Sequence, residues 1–186
     1  MKKLFVIALA AFATLGAYAQ QLGKVNFNEL VMLMPEMDAA RETMTASQKE
    51  AEETYSAMAE EFQNKYAQYQ QKQATWTAAI REAKERELTD INQRLQEFQQ
   101  TISQELQQQQ AQLMAPINEK AQKAVQDLAK AKGIVVLFDA SQALYFDETQ
   151  VVDLTADARK ALGIPEGRTL ESLQAELQAQ TAAAQQ

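Results

Sequence analysis

The chain has 186 residues, 46% of them hydrophobic, with no cysteine and no histidine. Disulfide frameworks, thiolate nucleophiles, imidazole bases and zinc or haem sites built on those side chains are excluded, and nothing in the composition calls for a cofactor. A formal charge of −7 argues against a general affinity for nucleic acid, which is held chiefly by Lys and Arg.

Residues 1–19 read as a cleavable secretory signal. Lys2 and Lys3 make a basic start, Leu4 to Leu15 is an apolar run, and Ala17 and Ala19 place small residues at −3 and −1 of a cut before Gln20. The run is shorter than the ~20 residues a spanning helix needs. No cysteine follows the cut, so a lipoprotein anchor is not expected. Without Lys2 and Lys3, 16 basic residues face 25 acidic ones, net −9. An exported chain without cysteine fits a bacterial periplasm.

The next block, residues 20–35, contains Lys24-Val25-Asn26-Phe27-Asn28, whose alternation predicts a half-buried strand. From residue 36 to 131 the chain carries no glycine and is crowded with Ala, Gln, Glu, Lys, Leu and Met, which are strong helix formers. One apolar seam runs Met37, Met44, Ala51, Tyr55, Met58, Phe62, Tyr66, Tyr69, Gln73, Trp76, Ile80. A second runs Leu88, Ile91, Leu95, Phe98, Ile102, Leu106, Leu113, Ile117, Ala121, Ala124, Leu128. Both have coiled-coil spacing, and each contains a 4-4 step, at Met58-Phe62-Tyr66 and at Phe98-Ile102-Leu106. Placed opposite one another, these steps give an antiparallel hairpin centred near residues 82–84. The turn is expected around 74–81, where β-branched Thr75 and Thr77 lower helix propensity and either can serve as an N-cap. Each arm of about 43 residues would reach about 65 Å. The rival is one continuous rod over 36–131. Pro116 should bend the second helix or break one hydrogen bond in it.

Residues 132–164 return to strand signals. Gly133 stops the helix, Ile134-Val135-Val136-Leu137-Phe138 is the strongest strand run, and Asp139-Ala140-Ser141-Gln142 is a turn. Ala143-Leu144-Tyr145-Phe146 is expected to pair back as a strand hairpin, and Val151-Val152-Asp153-Leu154 to be extended. Thr155 is the expected N-cap of a short helix, Ala156 to Leu162, ended by Gly163. The Gln/Ala-rich residues 165–186 are expected to hold one or two weak helical turns around Leu170, Leu173 and Leu177, with Thr181 to Gln186 disordered. The fold class is mainly α with a small β body, a long helical hairpin being inserted between short strands. So few strands have open edges and bury too little to stand alone, which predicts oligomerisation through Val25, Phe27, Val135, Leu137, Phe138, Leu144 and Tyr145.

Four blocks resemble the Skp/OmpH-type periplasmic chaperones. They are Val25-Asn26-Phe27 with Leu33-Met34-Pro35-Glu36; Gln112-Leu113-Met114-Ala115-Pro116-Ile117; Ile134 through Ser141; and Val152-Asp153-Leu154-Thr155 with Ala161-Leu162-Gly163. The resemblance spans about residues 22–164. It implies a homotrimer with a β-barrel body and three tentacles around a cavity. There the family holds unfolded outer-membrane proteins and prevents their aggregation; the sequence has no Walker-type nucleotide motif, so the expected holding is ATP-independent. Well-known members are basic, whereas this chain is acidic.

Two residue sets are candidates for function. Tyr55, Met58, Phe62, Tyr66, Tyr69 and Trp76 read either as seam core or as cavity surface touching client chains. Arg81, Lys84 and Arg86 make the expected arm tip basic, suiting weak contact with an anionic membrane, although Glu82, Glu85 and Glu87 interleave them. An enzyme is not expected: the carboxylates lie on exposed helix faces, and Asp139 with Ser141 reads as a turn. A structural coiled-coil spacer, or an accessory subunit of an envelope assembly, is the alternative function.

Overall fold

A computed structural model describes residues 21–184, so the expected signal peptide lies outside the described residues. The elements in chain order are β1 (Gln21–Val25), α1 (Phe27–Leu33), α2 (Pro35–Lys72), α3 (Ala78–Ala131), β2 (Ile134–Asp139), a 3-10 turn (Ala140–Gln142), β3 (Val151–Asp153), α4 (Thr155–Ala161) and α5 (Leu170–Ala184). The fold is mainly helical with one small sheet. Two compact units are present, one from residues up to 34 and from 120 onwards, the other from 35–119.

In the first unit the three strands lie in the order β2-β1-β3, and both pairings are parallel. Leu22 stands opposite Val136 and Val151, Gly23 opposite Leu137 and Val152, and Lys24 opposite Phe138 and Asp153. Gly23 permits this close approach. A Cβ there would lie 2.9 Å from Ile134 Cγ2 and 3.1 Å from Leu137 Cδ1. Gly133 has φ +68°, the left-handed conformation that lets α3 stop and β2 begin. Leu30, Leu33, Met34 and Leu154 are fully buried, joined in the core by Val25, Val31, Ala158, Leu162, Ile164 and Leu173.

Several local expectations are corrected. β1 ends at Val25 because Asn26 turns the chain into α1: its side chain accepts from the Glu29 N–H at 3.4 Å and donates to Glu29 Oε2 at 2.8 Å. Phe27 is therefore the first residue of a helix and not part of a strand. Residues 143–146 form no strand, and the sheet contains no hairpin. Asp139 Oδ1 accepts from both the N–H and the hydroxyl of Ser141, winding the chain into the 3-10 turn and away from β2. Phe146 then folds back onto Phe138, their ring centroids 5.6 Å apart. α4 starts at Thr155 itself. Asp153 Oδ1 accepts from its N–H at 2.8 Å, while the Thr155 hydroxyl accepts from the Asn26 N–H at 3.2 Å. The tail forms a 15-residue helix, longer than one or two turns, and it includes residues 181–184. Its start is a reciprocal box, with Thr169 Oγ1 accepting from the Ser172 N–H and Ser172 Oγ accepting from the Thr169 N–H.

In the second unit the helical run is interrupted at residues 73–77, so a single continuous helix over 36–131 does not form. Thr75 donates both its N–H and its hydroxyl to the Lys72 carbonyl. Thr77 caps α3 by accepting from the Ile80 N–H at 3.4 Å. α3 continues through Pro116. Contacts between α2 and α3 pair Tyr69 with Glu85, Lys65 with Glu87, Glu61 with Arg94 and Ser47 with Gln109, an antiparallel sequence of partners. The pairs centre near residues 76–78, about six positions before the centre that facing 4-4 steps predict. The step at Phe98-Ile102-Leu106 instead faces Ser47, Ala51 and Thr54. Unlike-sized residues meet there, so the two irregular steps are out of register.

Candidate functional site

The aromatic candidates lie along one stripe of α2 and its turn. Tyr55, Met58, Phe62, Tyr69 and Trp76 are half-buried, and Tyr66 is 43% exposed. Phe62 stacks on Tyr66 with centroids 6.0 Å apart and planes 6° apart, and Tyr69 meets Trp76 edge-on at 6.0 Å. A pair of helices has too little thickness to cover rings of this size on all sides, so seam packing and an exposed apolar edge coexist in the same residues. Around them the polar partners are tightly engaged. The Tyr69 hydroxyl donates to Glu85, which raises its pKa. Lys65 and then Lys84 donate to Glu87 and hold that carboxyl down at about 2, while Glu87 raises the Lys65 ammonium in return.

The basic candidates are less available than their sequence suggests. Lys84 pairs with Glu87 at 2.8 Å and Arg86 with Glu82 at 2.5 Å, each within α3. Among the described ion pairs Arg81 has no carboxylate. The signal for this pairing was present in the i, i+3 and i, i+4 spacing.

In the first unit the structure separates the candidates. Val25 is 3% exposed and belongs to the core of one chain, and Phe27, Leu137 and Phe138 are half-buried. Val135, Leu144 and Tyr145 are exposed, as are Val136 and Leu22, which the sequence reading missed. Strand alternation does not mark them, because Gln21 with Leu22 and Val135 with Val136 are exposed as consecutive pairs, and the register itself is not readable from residues 21–25.

Lys24 was also missed. Its side chain lies mid-strand with its ammonium 2.6 and 2.8 Å from the two Glu148 oxygens, 3.5 Å from Asp153 and 4.6 Å above the Phe146 ring. The bond to Glu148 holds the ammonium above its ordinary range, against the opposing effect of burial. Burial pushes Asp153 up, but the Thr155 hydrogen bonds and Lys24 outweigh it and keep that carboxyl low. This cage anchors residues 146–148 and so presents Leu144 and Tyr145 outward.

A scan against models of known protein families matches residues 21–162 to the family described as outer membrane protein (OmpH-like). The chain belongs to the OmpH-like family. Members of the OmpH-like family are periplasmic chaperones of outer-membrane proteins rather than enzymes. A search among curated proteins finds no match. Among the described residues of this OmpH-like chain, no helix is long and apolar enough to cross a membrane.

Proposed function

We propose that the chain is an ATP-independent periplasmic holdase. It binds unfolded outer-membrane proteins between helical hairpin arms and prevents their aggregation during transit. The observation that carries this reading is the half-buried aromatic stripe Tyr55–Trp76 on helices too thin to enclose it. Such surface gives many weak, geometry-tolerant contacts, which suits a binder of varied unfolded chains. The exposed Val135, Val136, Leu144 and Tyr145, together with the open sheet edges, support self-association of the body, and the family resemblance is what suggests a homotrimeric barrel. Export follows from the cleavable signal at residues 1–19. With Lys84 and Arg86 already paired, contact of the arm tips with anionic lipid rests on Arg81 and is weak.

The interruption at residues 73–77 disfavours the structural spacer, since a distance-setting rod gains from one unbroken helix. The test is light scattering by a urea-unfolded barrel protein diluted out of denaturant. Suppression of aggregation at near-stoichiometric chain supports the holdase, and undiminished aggregation contradicts it.

A further inference from the structure

Between Met44 and Tyr55, α2 offers its seam only Ser47, Ala51 and Thr54. Opposite them α3 presents Phe98, Ile102 and Leu106, all half-buried. The spacing between two helices is set by the largest side chains in contact, and the Met44 and Tyr55 layers on either side keep the helices apart. The Ala51 layer cannot collapse to fill the difference. A gap of about 400 Å³ remains, open to solvent on one side, and Ser47 and Gln109, joined by a hydrogen bond of 2.9 Å, are among the residues that line it. That volume admits one large side chain, being at the lower end of small-ligand pockets.

The rim is acidic. Glu50 and Glu105 border the gap, and neither is engaged by a cation among the described ion pairs; the neighbouring Lys49 leans towards Glu53. An apolar floor beneath two carboxylates complements a large apolar side chain with a basic neighbour.

We propose that this gap is a side-chain subsite for client chains. It takes an aromatic or branched aliphatic residue flanked by Lys or Arg. The inference rests on the holdase reading and gives it a chemical preference. The apolar side chain would complete the missing layer between α2 and α3, and its basic neighbours would meet Glu50 and Glu105. A single site of this size holds its residue weakly, and useful retention comes from several such contacts on one client.

The test titrates the full chain, carrying labelled isoleucine methyls, with acetyl-Gly-Lys-Phe-Lys-Gly-amide and with acetyl-Gly-Glu-Phe-Glu-Gly-amide. The Ile102 methyl signal should move in a saturable manner with the lysine peptide and bind the glutamate peptide at least about threefold more weakly, the ratio expected of exposed charge pairs. Ala51→Leu should fill the gap, abolish the Ile102 response and raise the melting temperature. The double variant Glu50→Gln/Glu105→Gln, which leaves the packing alone, should erase the preference between peptides. An unmoved Ile102 signal, or undiminished binding to Ala51→Leu, overturns the subsite. So does equal binding of the two peptides to the unaltered chain. The same preparations are assayed for suppression of barrel-protein aggregation. Failure of the unaltered chain in that assay overturns the holdase reading separately, whereas protection with an unmoved Ile102 overturns the subsite alone.

Discussion

Gly23→Ala tests whether the packing of β1 against β2 is as close as the register requires. The added Cβ would meet Ile134 Cγ2 at 2.9 Å and Leu137 Cδ1 at 3.1 Å. The first of these is a branch methyl, which can move only if Ile134 leaves its preferred χ1 rotamer or the strand shifts. Overpacking of this kind costs about 1–3 kcal/mol. Reduced freedom of the unfolded chain returns about 0.4–1 kcal/mol. The net expectation is a loss of about 0–2.6 kcal/mol, with its midpoint at about 1.3 kcal/mol, centred in the sheet. Ile134→Ala removes the clashing methyl, so the double variant should recover part of the loss, with a coupling of about 1 kcal/mol. Native-state hydrogen exchange of the β1 and β2 amides reads this locally, where a global helical signal would be dominated by α2 and α3. A Gly23→Ala variant more stable than the unaltered chain, or an absent coupling, would refute the packing argument.

Other expectations bear on the charged groups and the core. Glu87 has its carboxyl lowered from 4.5 to about 2 by Lys65 and Lys84, so its contribution is complete above pH 4.5 and is lost as pH falls towards 2. With its side chain a third exposed, solvent screening reduces that contribution to about 1 kcal/mol. Melting followed by the single tryptophan, Trp76, should weaken over that range, and Glu87→Gln should flatten the dependence. Lys24→Met keeps the stem but removes the ammonium, and protease cleavage within residues 143–150 should accelerate; unchanged cleavage would mean that the cage does not hold this segment. Leu154→Ala, at a fully buried position, should cost about 2–5 kcal/mol in urea unfolding. Replacing Arg81, Lys84 and Arg86 together by Gln should reduce binding to anionic vesicles at low salt only slightly, and no reduction at all would remove the lipid role.

Helices and seams were legible because their signal repeats over many residues. Met44 through Trp76 and Leu88 through Leu128 keep their spacing whatever the turn does, and Thr77 supplied the cap. The sheet was less legible because its signals are short and its partners distant. β1 lies far from β2 in sequence, and Asn26, just beyond it, reads as polar alternation until the Glu29 bond shows it to be a helix cap. The Ala143–Phe146 run has the composition of a strand, but two aspartate turns, at Asp139 and Asp147, bracket it and Phe146 packs inward. Of the candidate site, the aromatic stripe was readable from spacing alone. The gap at Ala51 was not, because it depends on which layer of α3 stands opposite, and the register differs by about six positions from the one that the matching 4-4 steps suggested. The Lys24 cage required knowing that residue 148 returns to the central strand.

We propose that several copies of this chain together enclose one unfolded client. Light scattering coupled to size separation, run on the purified chain alone and after mixing with a urea-unfolded barrel protein, measures this directly. The expected masses are three chains alone and three chains plus one client after mixing, with the client kept soluble. A monomer that stays monomeric, or a client that aggregates away from an unchanged peak, would contradict it.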